Sequence, residues 1–160
     1  MTQEDKKSLL MELLASDLLA RLPYGVKIKL GDYNYQVCGY NSEEELPVKI
    51  WYYTDSDQSL KSYVNVYLKD YYPYLRPMSS MTDNEFSELE KYSGLIYDQL
   101  DLTSFQGGTY KCLDFYLNEV PGGAVIRVFD WLNRYYFDYR DMIQMGLAIA
   151  VTPENNPYKV

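Results

Sequence analysis

The chain has 160 residues, 47% hydrophobic and 24% charged, which suits a single globular domain with a sizeable core. It has no histidine, and its two cysteines, Cys38 and Cys112, lie in no C-x-x-C pattern. A Ser-His-Asp triad, a Cys-His dyad, a histidine-bearing zinc site and an all-cysteine zinc site therefore cannot be built within one chain. Acid–base chemistry would fall to Asp, Glu, Tyr, Lys or Cys with shifted pKa values. The net charge is −8, with 9 basic and 11 acidic side chains in residues 1–80 against 6 and 12 in residues 81–160. That acidity repels nucleic acid at long range, so no direct nucleic-acid binding is expected. No apolar run approaches the roughly 18 residues of a membrane span, and no signal peptide is recognisable, so a cytoplasmic location without membrane association is expected. Tyrosine stands out at 19 residues, more than one small core hides.

Residues 3–22 read as a helix. Thr2 caps it, Glu4 and Asp5 stand in its first turn, and Pro23 ends it. Leu10, Leu14, Leu18 and Leu22 recur at i+4, widened by Leu9, Met11, Leu13 and Leu19. The stripe is read as core, with a partner-docking helix as the lesser alternative. A hairpin follows: Val26, Ile28 and Leu30 alternate with Lys27 and Lys29, Gly31-Asp32 is the turn, and Tyr33, Tyr35 and Val37 alternate on the return. Residues 41–45 are a polar loop. Val48–Tyr53 is a third strand, Asp55-Ser56-Asp57 a turn, and Tyr63–Lys69 a fourth strand with Val64, Val66 and Leu68 on one face.

Residues 71–82 read as a proline-punctuated connector. Thr82 and Glu85 then form a capping box for a short helix to about Tyr92, stopped by Gly94. Residues 95–123 carry no clear pattern: Gly107-Gly108 and Pro121-Gly122-Gly123 read as turns, and Tyr110–Leu117 as either strand or helix. Residues 124–136 form the last long helix, with Val125, Val128, Phe129, Leu132 and Tyr136 on one face and Trp131 and Leu132 expected in the core. Asp138 caps a further short helix over residues 139–145, closed by Gly146, and residues 147–151 form a final strand. The fold class is α+β: an N-terminal helix, an antiparallel sheet of about four strands, and C-terminal helices packed on one face. Residues 1–151 make one domain and residues 152–160 a polar, frayed tail.

Two segments resemble a known family. They are Tyr74-Leu75-Arg76-Pro77-Met78-Ser79-Ser80-Met81-Thr82, similar to a PYLRPMSSMT signature, and Phe129-Asp130-Trp131-Leu132-Asn133 with Phe137-Asp138-Tyr139-Arg140 and Gly146-Leu147-Ala148, similar to DWLN…FDYR…GLA. The family is a set of small uncharacterised proteins of gut anaerobic bacteria and their phages. Its members often carry histidines where Tyr135 and Tyr136 stand and a glycine at Asp141, so no obligatory histidine mechanism is implied. The resemblance implies a phage-type setting and carries no activity.

Several clusters have ordinary structural explanations. Asp55-x-Asp57 and Glu43-Glu44-Glu45 lack the spacing of a calcium loop, and neither Gly-Gly pair matches a phosphate-binding fingerprint. No metal or cofactor is expected. The connector is the stronger candidate. Prolines stiffen it, which lowers the ordering cost of binding, so Tyr71, Tyr72, Tyr74 and Arg76 are the expected contact patch for a protein partner. The alternative is an anion site of Arg76, Ser79, Ser80 and Thr82 at a helix N-terminus, serving a phosphorylated small molecule or nucleotide. The Asp138-Tyr139-Arg140-Asp141 corner reads as a cap with local ion pairs. The favoured function is a non-catalytic protein-interaction module, such as a phage-encoded inhibitor or accessory protein. The alternatives are the phosphate-ligand domain and a virion structural protein. The partner's identity and the oligomeric state are left open.

Overall fold

The computed structural model describes residues 2–41, 48–54, 57–66, 71–95, 100–104, 111–115 and 122–159, with side chains described for 2–37, 71–95 and 123–159. The fold is α+β, as expected, and divides into two compact units: Met1–Leu75 with Met142–Val160, and Arg76–Asp141.

In the first unit, α1 (Gln3–Arg21) begins at a full capping box. Asp5 N donates to Thr2 Oγ1 (3.1 Å) and Thr2 N to Asp5 Oδ2 (2.7 Å). Arg21 continues into a single 3-10 turn, Leu22–Tyr24, closed by Gly25 at φ 70°. Strands β1 (Lys27–Leu30) and β2 (Tyr33–Asn41) form the expected hairpin, with Leu30 opposite Tyr33. Gly31 takes a positive φ of 60° at the first of two turn positions, as a II′ hairpin turn requires. β3 (Val48–Thr54) and β4 (Asp57–Val66) extend the antiparallel meander. β4 starts six residues before the expected Tyr63. Leu68 and the Asp55-Ser56 part of the expected turn lie outside the described residues.

The expected connector is in part a strand. β5 (Tyr71–Leu75) pairs antiparallel with β1, and β8 (Ile149–Ala150) pairs parallel with β5. The sheet order is β4-β3-β2-β1-β5-β8, six strands rather than about four, and mostly antiparallel. Pro73 is tolerated inside the sheet because β8 is so short. Pro73 faces Ile28 on β1, whereas β8 pairs only with Tyr74 and Leu75, so no neighbour needs the N–H that proline lacks.

The tail is tied down rather than frayed. The Tyr158 hydroxyl donates to Tyr74 O (2.8 Å) and accepts from Lys27 N (3.1 Å), filling the next position of the β1–β5 ladder. Thr152 N donates to Asn155 Oδ1 (2.7 Å), and Asn155 Nδ2 to Ala150 O (2.9 Å), fixing the turn that leads there. Buried in this unit are Leu14, Leu18, Val26, Ile28, Val37, Tyr71, Leu75 and Met142. The Asp17–Arg21 pair is buried among them: Arg21 Nε and Nη2 donate to the two Asp17 oxygens at 2.7 and 2.9 Å, with both side chains fully buried.

In the second unit, a 3-10 turn (Met78–Ser80) leads to α2 (Asp83–Ser93), which has the expected capping box and ends at Gly94, φ 74°. β6 (Leu100–Ser104) and β7 (Lys111–Phe115) pair antiparallel, so the described part of the ambiguous segment, residues 111–115, is strand; Tyr110, Tyr116, Leu117 and Gly107-Gly108 lie outside the described residues. Helix α3 (Gly122–Arg134) takes in Gly122-Gly123, read above as a turn. It stops two residues early in a Schellman motif: Phe137 N donates to Leu132 O (2.9 Å) and Tyr136 N to Asn133 O (3.1 Å). Tyr136 occupies the left-handed position at φ 62°, where glycine is usual. The short helix expected over residues 139–145 is a series of turns, since Asp141 at φ 56° has a left-handed backbone that no α-helix accommodates. The core of this unit is Met78, Met81, Leu89, Leu95, Ala124, Val128, Trp131, Leu132 and Phe137. Trp131 packs on Tyr135 and Phe137, with ring centroids at 4.4 and 5.7 Å. Arg127 ties α3 to the end of α2 through two bonds to Ser93 O, at 3.0 and 2.7 Å.

Trp131 is 2% exposed, so Trp131→Ala is expected to cost about 3–5 kcal/mol, seen as a large loss in thermal or denaturant stability. Tyr158→Phe removes only one hydroxyl but breaks both of its bonds. A loss of about 1–3 kcal/mol in the same measurement is expected, and an unchanged melt would mean that water substitutes fully for the hydroxyl.

Candidate interaction surface

Arg76 lies where β5 ends, and its backbone holds a short bridge to the segment after α3. Its N–H donates to Tyr136 O (2.8 Å), and its carbonyl accepts from Asp138 N (2.8 Å). The guanidinium forms a two-pronged pair with Glu85: Nη1 to Oε1 at 2.7 Å and Nη2 to Oε2 at 3.0 Å. Nη2 also reaches Ser80 O at 3.4 Å, and the group lies over the Phe137 ring, 4.2 Å from its centroid. Glu85 at the same time accepts from Thr82 N (2.9 Å) and Thr82 Oγ1 (3.1 Å). Ser80 Oγ donates to Pro77 O (2.7 Å), and Ser79 is exposed.

The structure thus brings Arg76, Ser80 and Thr82 together as the anion-site alternative requires. The Glu85 carboxylate, however, already sits where an incoming anion would bind. It is the third residue of α2 and bridges the arginine and the cap. Burial raises the Glu85 carboxyl, but the hydrogen bonds and charge of Arg76, with those of Thr82, outweigh it and hold its pKa below the usual 4.5.

The tyrosines of the patch lie in the other unit, on β5. Tyr71 and Tyr74 are 1% and 5% exposed, and Tyr72 is half-buried. Tyr74 donates from its hydroxyl to Asn34 Oδ1 (2.8 Å), and burial pushes its phenol pKa up. Strand alternation explains the difference between neighbours: Tyr71 points to the face that holds Ile28 and Leu75, and Tyr72 to the opposite one. In the corner after α3, Asp138 is 5% exposed, Tyr139 donates to Asn133 Oδ1 (3.0 Å), and Arg140 lies over the Tyr139 ring at 5.2 Å.

Large apolar side chains reach the surface elsewhere: Leu9 (56%), Leu19 (44%) and Met145 (42%), with Tyr33 (69%) at the hairpin, and Ile126 (72%) on α3. All of residues 2–9 are exposed, so the first two turns of α1 stand in solvent, while Leu10, Met11 and Leu13 are half-buried. The breadth of the leucine stripe was the available signal: leucines at 9, 10, 13, 14, 18 and 19 cover more of a helix than one core face needs. Among the described residues no helix is long and apolar enough to cross a membrane, and no cluster of three metal-ligating side chains is present.

Comparison with protein families, with curated proteins and with solved structures finds no match to this chain.

The Glu85 carboxyl has a folded pKa below its unfolded one. Its contribution is therefore fully present above about pH 4.5 and is lost as the pH falls through the folded value. Glu85→Gln is expected to lower stability by about 1 kcal/mol at neutral pH. It should also flatten the acid limb of a melting-temperature profile below pH 4.5, and an acid limb as steep as that of the parent would assign the effect to other carboxyls.

Proposed function

We propose that the chain is a non-catalytic protein-interaction module and that α1 is its docking element, an amphipathic helix that lays leucines into an apolar groove of a protein partner. The observation that carries this is the 56% exposure of Leu9 on a helix whose first two turns are open to solvent. A leucine kept at a surface costs nothing in isolation, but here it continues along the same helix face to Leu13, four residues on, which is itself only half-buried. Glu4, Asp5, Lys6 and Lys7 precede it and keep the projecting end soluble. The tyrosine patch contracts, because Tyr71 and Tyr74 are buried in the sheet; among the described residues, Tyr72 and the 69% exposed Tyr33 can contribute contact area from the same sheet. The setting is that of a cytoplasmic accessory or inhibitory protein of the phage type.

The test is to capture partners from the native host, reconstitute the pair from purified proteins and measure affinity by calorimetry. Burying Leu9 would contribute about 1.5–3 kcal/mol, so Leu9→Glu is expected to weaken binding at least tenfold while leaving the circular-dichroism spectrum unchanged. Equal affinity for the variant removes α1 as the docking element, and turnover of a small molecule by the purified chain removes the non-catalytic reading.

A further inference from the structure

The register of β1 with its two neighbours sorts the sheet's side chains into two faces. Ile28 stands opposite Tyr35 and Pro73, and Leu30 opposite Tyr33 and Tyr71; Ile28, Pro73 and Tyr71 on that face are buried. On the other face Lys27 stands opposite Gln36, and Lys29 is flanked by Asn34 and Tyr72. Lys29 and Asn34 are exposed, and Lys27, Gln36 and Tyr72 half-buried. The Tyr74–Asn34 hydrogen bond runs over this same face and orients the Asn34 amide.

The charge on this face is anomalous. The chain carries a net −8, yet β1, β2, β5 and β8 together contain two lysines and no aspartate or glutamate. The ion pairs Arg21–Asp17, Arg76–Glu85 and Arg134–Asp130 of the described residues do not involve Lys27 or Lys29. Two ammonium groups so placed, with amide and phenol groups beside them, form a positively charged strip along one strand.

We propose that this face of the β1–β2–β5 sheet binds an extended acidic peptide segment of a protein partner, one with carboxylates at alternate positions. Residues two apart on a strand are separated by about 6.7 Å, and an extended peptide presents alternate side chains at that same spacing, so two carboxylates can meet Lys27 and Lys29 together. Asn34 and Gln36 supply amide groups for the intervening polar atoms, and Tyr72 supplies ring surface at the edge. A polynucleotide fits the strip less well, since it brings a phosphate with every nucleotide toward a chain of net −8, whereas a short peptide brings only the charges that the lysines neutralise. This site is separate from the docking of α1, and neither test depends on the other's outcome.

The experiment is fluorescence anisotropy on the full chain with three labelled probes: a peptide of alternating Glu and Ser, the same peptide with Gln for Glu, and a single-stranded oligonucleotide. The Glu peptide is expected to bind, to weaken as salt rises, and to bind at least about tenfold more tightly than the Gln peptide. Lys29→Glu is expected to abolish that preference, and Lys27→Gln with Lys29→Gln to reduce it several-fold, each with an unchanged melting temperature. Equal binding of the two peptides, unaltered binding by Lys29→Glu, or tighter binding of the oligonucleotide would each overturn the proposal. So would self-association that disappears in Lys29→Glu, because the strip would then serve a second copy.

Discussion

The guanidinium of Arg76 meets the Glu85 carboxylate edge to edge, rests on the Phe137 ring and reaches the Ser80 carbonyl, while its backbone bonds on both sides to the segment that follows α3. Much of the second unit depends on that convergence. It ties the start of α2, the 3-10 turn before it and the end of α3 to one residue. Each partner has a further duty: Glu85 caps α2, Phe137 closes the Schellman turn of α3, and Tyr136 accepts its bond from a strained, left-handed backbone. Strain of about 1–2 kcal/mol at a non-glycine residue persists only where its surroundings hold it, and the Arg76–Tyr136 bond is part of that hold.

The first unit reaches the same end by different means. Its sheet is closed at the β1–β5 ladder by a side chain, Tyr158, and its helix carries a buried charge pair, Asp17–Arg21, at one-turn spacing. Such a pair adds little net stability over an apolar substitute, but removing one partner strands a buried charge and costs about 3–5 kcal/mol. Asp17 and Arg21 share the buried face of α1 with Leu14 and Leu18, so each depends on the other to be held there.

These internal commitments bear on function by elimination of groups already used. Arg76 is engaged with Glu85 and the Ser80 carbonyl, Thr82 with Glu85 and the Ser80 hydroxyl with Pro77 O, and Tyr71 and Tyr74 with the sheet. Among the described residues, the surface keeps Leu9 on the exposed first turns of α1, and Lys27 and Lys29 on a sheet whose strands β1, β2, β5 and β8 contain no aspartate or glutamate. Both suit contact with another polypeptide, one by apolar burial and the other by charge, and the two draw on different physics, so salt weakens one and leaves the other nearly untouched.

Local chemistry was legible in the residues alone. Thr2 with Asp5 and Thr82 with Glu85 announce helix starts, Gly94 a stop, Gly31-Asp32 a hairpin, and the Lys27–Leu30 alternation a half-buried strand, because capping, turn geometry and alternation are settled within a few positions of the chain. Leu132 was likewise recognisable as core from its helical spacing, and Trp131 was expected in the core beside it. What the tertiary structure alone decided concerns residues whose partners are distant in the chain. Tyr71–Leu75 resembles a connector until β1, some forty residues earlier, and β8, some seventy-five later, supply its ladder. The 152–160 tail looks frayed until Tyr158 finds Lys27 and Tyr74. Whether Arg76 awaits an anion or is already satisfied depends on where the chain places Glu85 and Phe137. Local propensity carries no information about such pairings, since a hydrogen bond or ion pair between remote residues is fixed by the closure of the whole chain and not by the sequence on either side of it.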